Sequence, residues 1–171
     1  MSGPGPNPTD RGKAGSKYHV LVDGQGVPLA VQLTAANVHD SKMLEPLVDA
    51  VPPIRRPTGE PGRPHKRPAK LHADKGYDYP EKRRALRRRG ITPRIARRVV
   101  ESSERLGRFR WVVERTQAWV VAFRKLAIRY DRHGATVLAF LHLACALICL
   151  RYLASASADA ELTGDPKRVA H

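Results

Sequence analysis

Residues 17–34 constrain the fold more than any other stretch of the chain. KYHVLVD, a Gly24-Gln25-Gly26 turn and VPLAVQLT read as two short strands joined as a hairpin. Both strands are apolar on both faces, so the sheet they belong to has to be covered on each side. That is the habit of strands layered between helices, and it predicts an α/β architecture. Asp23, at the end of the first strand, is read as a turn residue.

The rest of the chain supplies the helices. Asp40 or Ser41 can cap a helix whose Leu44, Leu47, Val48 and Val51 recur at i, i+3, i+4 and i+7 before Pro52 and Pro53 stop it. KLHAD follows as a short strand, with Leu71 and Ala73 on one face and His72 and Asp74 on the other. Pro80 and Gly90 bracket a further helix, and residues 91–96 read as a strand that Pro93 confines to an edge. A long helix over about residues 107–132 is expected to bury Val112, Trp119, Phe123, Leu126 and Tyr130, and a second apolar helix covers about 135–153. The expected organisation is a flexible segment over residues 1–16, one domain over 17–153 and a disordered tail over 154–171.

Charge narrows the function. Lys and Arg outnumber Asp and Glu 31 to 16, a net charge of +15, well beyond what solubility alone asks for. The natural partner is a polyanion, and nucleic acid fits a spread of basic residues better than an anionic membrane does. Residues 52–69 hold six prolines among basic residues and read as an exposed loop. Residues 82–98 carry nine Lys or Arg and no acid, which marks Arg84, Arg87 and Arg88 as candidates for phosphate contact. Cys145 and Cys149 are too few for a disulfide framework or a zinc site and read as buried thiols, which points to an intracellular compartment. The apolar run of residues 135–150 has 16 residues and contains His142, short of the roughly 20 a bilayer span requires, so a buried core helix is the expectation and no membrane is implied.

Two carboxylates stand where chemistry is plausible. Asp74 ends a strand and is followed within two residues by Gly76, the place where α/β folds set ligand sites. Glu114 lies nearly opposite the expected buried stripe of the long helix, with Arg110 one turn before it and Lys125 three turns after it, within about 40 degrees on a helical wheel. An ordinary Arg110–Glu114 surface pair accounts for the helix pattern equally well. A strand Asp and a helix Glu brought together could hold Mg²⁺ through oxygen ligands, the arrangement used in phosphodiester cleavage and transfer.

Three separated segments agree in order and spacing with one known family. GPNPTDRGKAGSKYHVLVDGQGVPLAVQLTAANVHDS, RPAKLHADKGYDY and RWVVERTQAWVVAFRKLAIRYDR together resemble the DDE transposases of bacterial insertion sequences, of the insertion-sequence-five family, over residues 4 to about 153. The resemblance implies a ribonuclease-H-like mixed sheet with flanking helices, and an Asp, Asp, Glu triad that binds Mg²⁺, with Mn²⁺ as the alternative. It implies cutting of double-stranded DNA at the element's ends and joining to a target, by a homo-oligomer on DNA in the bacterial cytoplasm. Carried over, Asp74 is the second carboxylate and Glu114 the third, both catalytic and metal-binding, and Arg110 matches the basic residue four places before that Glu. The pattern also expects a Tyr three before Arg110 and a Lys seven after Glu114. Gly107 and Val121 stand there instead, so Arg124 or Lys125 would supply the later cation.

The first Asp of the pattern belongs to a strand upstream of GPNPTDRGK, and the resemblance therefore implies a truncated fold with its first strand missing. His39 and Asp40 match the family's AN-x-HD segment, with helix capping or support of the site as their roles. The expectation is a downstream transposase portion, inactive alone and completed by an upstream reading-frame product. The alternatives are a non-catalytic DNA-binding remnant or regulator and a structural RNA-binding protein.

Overall fold

The computed structural model describes residues 4–9, 11–55, 63–97, 103–128, 131 and 133–163, of which 103–110 and 159–163 are described in backbone only. Its framework is mixed α/β, built on an antiparallel sheet and a separate parallel pair of strands. β2 (Ala14–Val22) and β3 (Pro28–Ala35) form the hairpin expected over residues 17–34, in antiparallel register from Ser16 opposite Ala35 to Leu21 opposite Ala30. Asp23 makes the turn: its Oδ1 accepts from the backbone N–H of Gln25 at 2.9 Å and of Val27 at 2.8 Å. The strand starts three residues before Lys17, because Ala14 and Gly15 pair with a two-residue strand, β1 (Gly5–Pro6). Gly5 and Pro6, within the segment read as an aperiodic connector, thus contribute an edge to the sheet.

Both faces of the hairpin are covered, as two-sided apolarity demands. Strand alternation sends Tyr18, Val20, Val31 and Leu33 to one face, where they pack with the C-terminal helices around Val137, Leu141, Ala144 and Ile148. Leu21 and Ala30 face the other way, onto Leu47 and Val51. Those two residues belong to a segment that opens as a 3₁₀ turn (Asp40–Met43), continues as α1 (Leu44–Asp49) and runs on to the buried Val51. The cap is His39 and not Asp40 or Ser41: its Nδ1 accepts from the Ser41 N–H at 3.3 Å and meets the Ser41 hydroxyl at 2.8 Å.

α1 also covers the second sheet. β4 (Lys70–Ala73) pairs in parallel with β5 (Thr92–Ile95), and α2 (Pro80–Arg88) connects them. Leu44, Val48, Leu71, Leu86, Ile91 and Ile95 close this core, and Leu21 of the hairpin touches it. One helical layer therefore serves both sheets, and β5 is an edge strand among the described residues, as Pro93 predicts.

The C-terminal helices depart from expectation in three respects. The long helix is interrupted: α3 (Ser103–Ala122) ends, Phe123 turns extended, and α4 (Arg124–Ala127) starts a new axis. Its buried stripe is Val112, Thr116 and Val120, with Trp119 36% exposed and Trp111 51% exposed, while Tyr130 lies outside the described residues. Thr116 joins the stripe through its hydroxyl, which donates to the buried Gly26 carbonyl at 2.8 Å and so satisfies an acceptor of the hairpin turn. Finally, α5 (Gly134–Thr163) continues ten residues past the expected end at 153, through an Ala-rich stretch of high helix propensity. Residues 164–171 lie outside the described residues.

α5 corrects the length reading of the apolar run. Its Gly134–Ala158 portion is long and apolar enough, by length and composition alone, to cross a membrane. One face of it nevertheless builds the core against the hairpin, and Leu143, Leu147, Leu150 and Leu153 on the other are exposed. Cys145 is buried and Cys149 half-buried, both as free thiols. Burial pushes the Cys145 thiol up to about 11 and raises that of Cys149.

Candidate active site and nucleic-acid surface

β4 delivers Asp74 to the end of the parallel pair. The residue is extended (φ −75°, ψ 175°) and its Oδ1 accepts from the Gly76 N–H at 2.8 Å, capping a 3₁₀ turn (Lys75–Tyr77). A side chain larger than hydrogen at residue 76 would meet that carboxylate oxygen at 2.9 Å, so the glycine and the orientation of Asp74 go together. The carboxylate is held by one oxygen in an exposed position.

The structure adds neighbours that lie far off in sequence. Burial pushes the Tyr77 hydroxyl up to about 12, with the negative charges of Asp40 and Asp74 adding to the shift. Both carboxylates are therefore close enough to act on one phenol. His39 stands edge-on to Tyr79 with ring centroids 5.8 Å apart, and Asp40 forms an ion pair with Lys17 of β2 at 3.1 Å. The AN-x-HD segment and the HADKGYDY segment thus form one cluster, in which His39 caps the turn and Asp40 adds a second carboxylate beside Tyr77. His19, buried next to this group, meets Thr34 Oγ1 at 2.8 Å, and its desolvation lowers its affinity for a proton.

Glu114 is exposed on α3, about 160 degrees from the centre of the Val112, Thr116 and Val120 stripe on an ideal wheel. The side chain of Arg110 lies outside the described residues. Lys125 does not share the axis of Glu114: it sits on α4, beyond the break at Phe123, with its Nζ 5.8 Å from the Phe140 ring centroid. Arg124 is exposed on the same short helix. Among the described residues, no three or more His, Cys, Asp or Glu side chains gather as metal ligands. Asp74 lies at the end of β4 and Glu114 on α3, and no contact joins the two carboxylates among the described residues.

The residue next to Glu114 plays a part that sequence reading missed. Arg115 stacks between Trp111 and Trp119, 4.5 and 4.9 Å from their ring centroids. It donates to Tyr152 Oη at 3.0 Å and to the Gln25 carbonyl, and Tyr152 donates to that carbonyl at 2.7 Å. The ladder clamps the hairpin turn onto α3 and α5, and the W-x₃-R-x₃-W spacing is its sequence signal.

The basic segment divides in two. Lys82 pairs with Glu45 at 3.0 Å, Arg83 with Asp78 at 2.7 Å, and Arg89 with Glu45 at 2.9 Å and Asp49 at 3.0 Å. Acids that lie outside residues 82–98 therefore compensate these three. Arg84, Arg87 and Arg88 are exposed on the outer side of α2 and form no ion pair among the described residues.

Comparison with known proteins gives the chain its family. Residues 2–149 match the family model described as the transposase DDE domain. A protein of Burkholderia cepacia named "Putative transposase for insertion sequence element IS402" is 54% identical over 145 residues, covering 85% of this chain and 67% of that relative. A "Transposase for insertion sequence element IS1106" of Neisseria meningitidis serogroup B is 29% identical over 130 residues, covering 70% of this chain and 39% of its own length. No solved structure matches. The chain belongs to the family of transposases with a DDE domain. It spans about two thirds of the first relative and well under half of the second.

Proposed function

We propose that this chain serves DNA transposition as the downstream portion of an insertion-sequence transposase core, with Asp74 and Glu114 as two of the three carboxylates that hold a divalent metal. The supporting observation is the match to the DDE domain over residues 2–149, with Asp74 set at the end of a parallel strand. Mg²⁺ is the proposed ion, since it binds through few carboxylates and completes its shell with water and phosphate oxygens. Bound there, it would supply the charge that activates an attacking oxygen and stabilises a leaving one. The residues of this chain orient Asp74 through Gly76 and carry positive charge toward double-stranded DNA.

A ribonuclease-H-like sheet is part of this reading, and the open edges of the strands support it. Residues 16–22 of β2 have β3 on one side only, and β4 has β5 on one side only, among the described residues. A strand from a separate upstream product, bearing the first carboxylate, would satisfy backbone groups that exposed edges leave unpaired. Work on DNA as a homo-oligomer in the bacterial cytoplasm belongs to the same proposal. The test is strand cleavage of element-end DNA with Mg²⁺. The chain alone should be inactive, the chain with the upstream product active, and Asp74→Ala or Glu114→Ala should each abolish that activity. Cleavage by the chain alone would overturn the split arrangement, and full activity of both variants would overturn the site.

A second reading, a DNA-binding remnant or regulator without chemistry, needs only the exposed Arg84, Arg87 and Arg88 of α2. It predicts salt-sensitive DNA binding that survives both carboxylate substitutions, with no cleavage even when the upstream product is added.

A further inference from the structure

The parallel pair β4–β5 packs one face against helices and leaves side chains of the other exposed. Leu71 and Ile95 turn inward to α1 and α2, and Pro93, opposite Leu71, shares that face. Strand alternation puts Lys70, His72, Thr92 and Arg94 on the opposite face, where all four are exposed. The register seats Lys70 beside Thr92 and His72 beside Arg94. Neither Lys70 nor Arg94 forms an ion pair among the described residues.

The same face leads to Asp74. Because that residue is still extended, alternation carries through it and places it on the side of Lys70 and His72. At about 3.3 Å per residue, Lys70 lies roughly 13 Å from Asp74 along the strand. A DNA strand advances about 3.4 Å per phosphate, so the strip spans a few successive phosphates. Closing a protein layer over it would strip water from two cations that have no acid as a partner among the described residues, a costly arrangement. A phosphate backbone brings both the charge and the acceptors.

The geometry points to the Lys70, His72, Thr92 and Arg94 face of β4–β5 as a track for one DNA strand, which aims a phosphodiester at Asp74. Lys70 and Arg94 supply charge, and Thr92 and His72 supply hydrogen-bonding groups between them. This inference rests on the DNA reading above and adds where the scissile strand runs. It makes these four positioning residues, distinct from Arg84, Arg87 and Arg88 on the outer side of α2.

The test is the salt dependence of binding between the purified full chain and a labelled duplex in metal-free buffer. Each phosphate contact contributes about 0.9 to the slope of log affinity against log salt. Lys70→Ala with Arg94→Ala should therefore lower the slope by about 1.8, while Lys70→Arg with Arg94→Lys should leave it near wild type and controls for folding. Asp74→Asn should tighten binding several-fold in the wild-type background, by removing a negative charge from the end of the track, and should have little effect once Lys70 and Arg94 are gone. An unchanged slope in the double Ala variant, or an Asp74→Asn gain equal in both backgrounds, would overturn the track and leave DNA binding standing. A wild-type chain that does not bind duplex DNA at low salt would instead overturn the DNA reading itself, and the track with it.

Discussion

The hairpin β2–β3 and the parallel pair β4–β5 share α1 on one face and part company on the other. The hairpin's second face is closed by α3 to α5 around Val120, Leu141 and Ile148, and that layer leaves an apolar surface outside, with Leu143, Leu147, Leu150 and Leu153 exposed. The parallel pair's second face carries Lys70, His72, Thr92 and Arg94 in the open. One half spends its helices on burial, and the other keeps a strand face for charge. Asp74 lies in the charged half, whereas Glu114 rides on a helix of the apolar half. The carboxylates expected to work together thus depend on elements with different packing, so the coupling between the halves matters for chemistry.

The largest test of that coupling is core truncation. Leu141, in the apolar half, and Leu86, in the charged half, are both 0% exposed, and Leu→Ala at either should cost about 2–5 kcal/mol. Leu21 and α1 contribute to the packing of both sheets, so either variant should shift a single urea transition. Both tryptophans of the chain lie on α3, which makes their fluorescence a reporter of one half, while far-UV circular dichroism reports both. Coincident transitions for both probes in both variants would establish one cooperative unit. A fluorescence transition untouched by Leu86→Ala would break the molecule into two.

A smaller effect separates the halves by their turns. Gly26 and Gly90 both have positive φ, +95° and +73°. A Cβ at Gly26 would stand 2.9 Å from Arg115 Nη2 and 3.0 Å from Thr116 Oγ1, whereas at Gly90 nothing lies within 4 Å. Gly90→Ala should cost about 1 kcal/mol, from backbone strain alone. Gly26→Ala adds a clash with the clamp and should cost up to about 3 kcal/mol, with a shift in tryptophan emission as Arg115 moves between the rings. Equal costs without that shift would show that the clamp is loose.

How much of this was legible in the sequence follows from the range of each signal. The hairpin, the strand at Leu71, the Pro80 helix and the edge position of Pro93 are local patterns of period two or of capping, and these all appear where expected. The buried stripe was right at Val112 and Leu126 and wrong at Trp119, where Thr116 and Val120 turn inward instead, and the bond from Thr116 to Gly26, ninety positions away, is a contact no periodicity carries. Phe123 breaks the helix without a Gly or Pro to announce it. Asp74 was visible as a strand-end carboxylate. That Asp40 acts on the same Tyr77 hydroxyl as Asp74 depends on two 3₁₀ turns meeting, which no spacing encodes. The positive face of β4–β5 was half visible in Lys70 and His72, yet their alignment with Arg94 needed the parallel register.

The smallest expected effect sharpens the electrostatic side of the comparison. Glu45 on α1 accepts from Lys82 at 3.0 Å and from Arg89 at 2.9 Å, and the hydrogen bonds from these two hold its carboxyl below the ordinary carboxylate value. A carboxyl whose folded pKa is depressed stabilises the fold above its unfolded value near 4.3, and that contribution fades as pH falls through the lower folded value. Glu45→Gln should therefore lower stability by about 1 kcal/mol at neutral pH, discounted for the partial exposure of the three side chains, and the gap from wild type should begin to narrow as pH falls below about 4.3. The measurement is the urea midpoint of both proteins at pH 7 and pH 3. A gap of the same size at pH 3 and pH 7 would assign the role of Glu45 to packing. A gap that narrows would place acid-sensitive support at the junction of α1 and α2, next to the face that carries the charge.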